Sequence, residues 1–249
     1  MFYIDQNFLF LIIVAILIGG IIKGTLGVGL PMIAVPLIAF ILPPTTAMIL
    51  LCFPILCANL LQMKIHKGVG SYRFFPMLVM LILGLIISGR LILEIDLITI
   101  SIIIAVSIIT AAVVNLFGLK LKKIDSSHEK SFTMTLGFFS GILGGFSMLF
   151  GHPILAYLIS MDIEKEFFIR TISTIYFIGG VTFYGSLLYH GLGAIDDLYL
   201  SAFLVLPTIV GQFIGTKIRS KLSNEIFKKL ILVILIVVGI SLLLKNINL

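Results

Sequence analysis

One lysine, one histidine and a recurring glycine spacing carry the chemistry available to this sequence. Lys23 sits in Gly19-Gly20-Ile21-Ile22-Lys23-Gly24-Thr25-Leu26-Gly27-Val28-Gly29-Leu30-Pro31, inside an otherwise apolar run. A second stretch repeats the pattern with Gly137, Gly141, Gly144 and Gly145, followed by Gly151-His152-Pro153. Aligned on glycine, Gly20, Gly24, Gly27 and Pro31 fall opposite Gly137, Gly141, Gly144 and Pro153, with a short insertion in the second copy. Glycine lets a ligand come close to the backbone. Proline suits the first turn of a helix, where its missing N–H would have no helical partner. Each copy therefore reads as a helix broken at glycine and restarted at proline. A helix start presents unpaired N–H groups and roughly half a positive charge. An ammonium placed between two such starts is anion-binding chemistry, and a cation within an apolar segment is costly and marks function.

The substrate-binding set predicted on this basis is Lys23, Gly24, Thr25, Gly27, Gly29 and Pro31 from the first copy. The second copy contributes Ser140, Gly141, Gly144, Gly145, Gly151, His152 and Pro153, and Arg170 follows it. Thr25, Ser140 and Ser147 are hydroxyl donors in or beside the breaks. His152 titrates near neutrality and fits three roles: donating to an anion, carrying a coupling proton, or hydrogen bonding at a helix start. Arg170 reads either as an anion contact near the cytoplasmic face or as ordinary basic flanking of a span. Asn59 and Gln212 read as interhelical hydrogen-bonding groups. Cys52 and Cys57, five residues apart, read as small buried hydrophobes. All eleven acids fall in loops or at segment ends, which argues against a cation substrate. The sequence has no Ser/His/Asp set, HExxH, CxxC or nucleotide loop, so no enzyme, metal or cofactor is expected.

The elements that must position these residues are membrane helices. The 249 residues are 60% hydrophobic and 11% charged, outside the range of soluble domains. Asp, Glu, Lys and Arg are absent from 24–63, 74–89, 97–119, 131–161, 171–195, 198–216 and 230–244. The N-terminus lacks the basic start of a cleavable signal and runs directly into an apolar segment. The expected fold is an all-α polytopic protein of two repeats. The first repeat, 1–117, holds a broken-helix hairpin at 8–42 and spans at 45–63, 74–93 and 97–117. A linker at 118–131 follows. The second repeat, 132–249, holds a hairpin at 132–161 and spans at 168–189, 197–217 and 227–245. The legs of the first hairpin, 8–22 and 31–42, would measure about 18–23 Å, short of a hydrocarbon core of about 30 Å.

Charge sets the orientation. With 64–73, 118–131, 162–167 and 217–229 in the cytoplasm and both termini outside, 14 of the 17 basic residues lie in cytoplasmic loops or beside them. The net charge of +6 thus reports topology and not nucleic-acid binding. The two hairpins then enter from opposite faces, so the repeats are inverted. That is the plan of alternating-access transporters, whose site lies between the repeats at the midplane.

The glycine-rich segments Gly20 to Pro36 and Gly137 to Pro153, with Phe168-Ile169-Arg170-Thr171 and the helix Leu206 to Gly215 (P-x-x-x-G-x-x-x-G), resemble the TauE/SafE family of sulfite and sulfonate exporters. The resemblance covers nearly the whole chain. Gly151-His152-Pro153 departs from the Gly-Gly-Pro or Gly-Pro usual in that family's second copy. It implies a multi-pass permease of the cell membrane, an exporter of small anions such as sulfur oxyanions, organosulfonates or carboxylates. An anion channel or a non-transporting membrane subunit is the alternative. The implied partners are a small anionic substrate and the lipid bilayer. The oligomeric state is left open, a homodimer included.

Overall fold

The computed structural model describes residues 6–63, 72–116, 126–161, 163 and 165–219, with single positions at 236, 240 and 244. Among the described residues all regular structure is helical, in ten α-helices. They are α1 (Gln6–Leu26), α2 (Leu30–Ala39), α3 (Pro44–Leu50), α4 (Cys52–Met63), α5 (Phe75–Leu91), α6 (Leu97–Leu116), α7 (Ser126–Ser147), α8 (Gly151–Ser160), α9 (Lys165–Tyr189) and α10 (Ile195–Arg219). Four segments, Phe8–Leu26, Phe75–Glu94, Phe167–Tyr189 and Ile195–Arg219, are long and apolar enough to cross a membrane. Helices α3 and α4, bent by 40°, form a fifth if taken as one span. The chain is a multi-pass membrane protein. The span expected at 227–245 lies outside the described residues, apart from those single positions.

The breaks fall later than the glycine spacing suggests. Helix α1 runs unbroken through Gly19, Gly20 and Gly24 to Leu26. At about 31 Å it is long enough to cross a hydrocarbon core, unlike the short leg expected over 8–22. Helix α7 likewise begins at Ser126, inside the expected linker, and continues through Gly137, Gly141, Gly144 and Gly145. Opening a backbone hydrogen bond away from water costs several kcal/mol, so a helix in lipid keeps its bonds unless the freed groups find partners. Here the glycines serve contact between helices. A Cβ at Gly20 or Gly24 would fall on the carbonyl of Thr208 or Gln212 in α10. At Gly137 and Gly141 it would fall on the carbonyls of Met77 and Leu81 in α5, and at Gly145 on the Ser88 side chain. Small residues at such seams let two backbones approach closely.

The two seams share one register. Gly211 faces the Leu17 carbonyl as Gly84 faces that of Phe138, and Gly20 meets Thr208 as Gly141 meets Leu81. The structural partner of Gly20 is therefore Gly141, and that of Gly24 is Gly145. This is one helical turn from the sequence alignment and needs no insertion, since α2 starts at Leu30 and α8 at Gly151. Direction can be read from the same contacts. Helices α1 and α10 run parallel, as do α5 and α7. Helix α4 is parallel to α10, with Ser201 near Phe53 and Gln212 near Ala58. Helices α4 and α9 are antiparallel, with Ile55 beside Gly180 and Gln62 beside Ser173.

A polar clasp ties the start of α5 to the second hairpin. Arg73 donates from Nε and Nη2 to the two oxygens of Glu129, each at 2.7 Å. The Tyr157 hydroxyl of α8 donates to Oε1 of the same carboxylate at 2.5 Å. Arg73 first and then Tyr157 hold the Glu129 carboxyl below its ordinary range.

Candidate functional site: a cavity between two helix breaks

Both helices stop at a residue in the left-handed region. Gly27 (φ 82°) donates its N–H to the Lys23 carbonyl at 2.8 Å, and Met148 (φ 61°) donates to the Gly144 carbonyl at 2.7 Å. Gly27 adopts this conformation without strain, whereas Met148 does not, and such strain collects where function demands it. Three residues later the chain restarts as α2 after Gly29 (φ 109°) and as α8 after Phe150. Pro31 stands in the first turn of α2, as expected, and Pro153 is the third residue of α8. Neither N-cap residue supplies a side-chain hydrogen bond to its helix. A buried helix start without a cap leaves N–H donors for another partner.

The two restarts meet at one cavity. Its walls are Lys23 of α1, Gly29 to Pro31 at the first break, Ile55 and Asn59 of α4, Met148, Phe150 and Gly151 at the second break, and a face of α9. The room for the centre of a water-sized molecule is about 20 Å³, enough for one water or little more. Lys23 is 2% exposed, and its Nζ donates to Asn59 Oδ1 at 2.7 Å. The Asn59 amide donates in turn to the Ile55 carbonyl at 2.9 Å, which fixes which end of the amide faces the ammonium. No carboxylate lines the cavity among the described residues, so a bound anion could take the charge of Lys23.

Lys23, Gly29, Pro31 and Gly151 of the predicted set line this cavity. Gly24 lies on the α10 seam instead, and the Thr25 hydroxyl is 2.8 Å from the Ile21 carbonyl and 3.0 Å from that of Gly215. Gly27 ends α1 next to Ile169. Gly141 and Gly145 belong to the α5 seam, and Gly144 gives way to Phe150. Ser140 is buried in α7, and its hydroxyl has no hydrogen-bond partner among the described residues. Arg170 stands in α9, six residues before the first cavity-lining residue of that helix, and does not line the cavity. The side chain of His152 lies outside the described residues. Sequence reasoning placed Asn59 in an interhelical bond without assigning it to the site, and it missed the α9 face altogether. The signal for that face was the spacing of Tyr176, Gly180, Phe183 and Tyr184, which recurs at three to four residues and so faces one side of a helix.

A family model described as "Sulfite exporter TauE/SafE" matches residues 11–242 of the chain. No curated protein and no solved structure matches it.

Proposed function

Because this chain belongs to the sulfite exporter TauE/SafE family, we propose that it exports a small anion across the cell membrane, binding it in the cavity between the two helix breaks. One observation carries this reading: two helix starts whose N-cap residues give no side-chain bond and a buried lysine line the same cavity. Partial positive charge from each helix start and a protonated Lys23 all favour an anion, in a place where water screens little. Sulfite, an organosulfonate or a small carboxylate has the required charge and oxygen acceptors.

The cycle we infer is alternating access between inverted repeats. Antiparallel α4 and α9, and the exchanged seams of α1 with α10 and α7 with α5, support that relation. The cavity holds about one water as it stands, so taking up an anion requires it to widen, which a carrier cycle provides and a standing pore does not. Purified protein in vesicles loaded with unlabelled sulfite should accumulate labelled sulfite transiently by counterflow. Flux that follows the electrochemical gradient without saturation or counterflow would reject the carrier cycle.

A further inference from the structure

The face of α9 in the cavity carries two tyrosines, Tyr176 and Tyr184. Tyr184 is 2% exposed, and neither its Oη nor that of Tyr176 has a hydrogen-bond partner among the described residues. Buried tyrosine hydroxyls ordinarily find one. Both rings are nevertheless held in place. Tyr176 meets Phe150 edge to face at 5.8 Å, and Tyr184 meets Phe183 at 5.2 Å. A Cβ at residue 151 would collide with the ring and hydroxyl of Tyr176, so only glycine there lets that hydroxyl reach the start of α8. Both tyrosines thus line the cavity with their rings held by packing, and their hydroxyls are buried without a partner among the described residues. That is the arrangement of donors set in advance for a guest.

We propose that Tyr176 and Tyr184 are substrate-binding residues, their hydroxyls donating to the oxygens of a compact oxyanion whose charge Lys23 balances. The proposal rests on the anion-transport reading of this cavity and specifies its ligand chemistry. Three donors on two helices, Lys23 Nζ and the two hydroxyls, suit an anion with several oxygens on one central atom. A single-acceptor halide would leave donors unused. The tyrosines also explain why the cavity can be mostly apolar and still take an ion: each ring excludes water while its tip binds.

The test uses the purified full-length chain with sulfite and chloride as probes, comparing Tyr176→Phe, Tyr184→Phe and Lys23→Met with wild type. Each phenylalanine variant should bind sulfite about ten- to a hundredfold more weakly, the effect of losing one hydrogen bond to an ion. Its unfolding temperature without sulfite should be equal or higher, because an unpaired buried hydroxyl is removed. Wild type should prefer sulfite to chloride. Unchanged sulfite affinity in both phenylalanine variants would overturn the proposal, and would leave the anion site standing if Lys23→Met still abolished binding. A lower sulfite-free unfolding temperature in both variants would also overturn it, showing that the hydroxyls hold the fold. If wild type binds neither sulfite nor chloride, the anion-site reading fails, and this proposal with it.

Discussion

Replacing Lys23 with methionine is expected to abolish anion transport while the protein still inserts and folds. Lys23 is buried, and its described hydrogen-bond partner is a neutral amide, Asn59. Such an ammonium contributes little to folding, because its desolvation is not offset by an ion pair. Methionine fills similar volume without the charge, leaving only Asn59 Oδ1 short of a donor, at a cost of about 1–3 kcal/mol. The loss to a bound anion is larger. A pair at about 4 Å is worth roughly 4 kcal/mol at an intermediate effective dielectric, about a thousandfold in affinity. Lys23→Arg should retain part of the activity, since the charge stays but the planar fork does not fit the ammonium's place. Sulfite flux in vesicles, read beside the unfolding temperature of each variant, separates the two effects. Full transport with wild-type affinity in Lys23→Met would remove the lysine from the site.

The second large effect falls on folding. Gly24→Leu and Gly141→Leu should each prevent recovery of a folded, monodisperse protein. At both positions a Cβ would meet a backbone carbonyl of the neighbouring helix, Gln212 in one case and Leu81 in the other. Backbone cannot move aside as a side chain can. Ordinary overpacking costs about 1–3 kcal/mol, and here the two helices must separate along a whole seam. Gly24 was expected to matter by letting a ligand approach the backbone. The structure assigns it to the α10 seam, so adding substrate should not rescue the leucine variant. Gly185→Ala is the control, because nothing lies within 4 Å of a Cβ there. It should be neutral or stabilising by up to about 1 kcal/mol through helix propensity. Size-exclusion profiles and yields from membranes decide this. A monodisperse Gly24→Leu protein would show that the seam opens without cost.

Hydropathy located the helices because lipid demands long apolar runs with their backbone bonds closed internally. Helices α5, α9 and α10 are long and apolar enough to cross a membrane, and they run over nearly the stretches where hydropathy put spans. Glycine was a poorer guide. Gly20 and Gly24 form a seam, whereas Gly27 and Gly29 make a break, and spacing alone does not tell the two uses apart. The difference depends on whether another helix lies alongside or the chain must turn. Met148, which ends α7 as Gly27 ends α1, gave no sign of it in its side chain. Aligning glycine with glycine therefore displaced the two copies by a turn.

By itself, the sequence determined that this is a multi-pass helical membrane protein, that two glycine-rich segments echo each other, and that Lys23 is an isolated cation among apolar residues. Those are properties of composition and local pattern, and the bilayer enforces them locally. Only the tertiary structure decided that both breaks open on one cavity, that Asn59 receives the Lys23 ammonium, and that α9 brings Tyr176 and Tyr184 to the wall of the same space. These residues lie on helices far apart in the chain, and in lipid it is close packing along the glycine seams that brings such helices together.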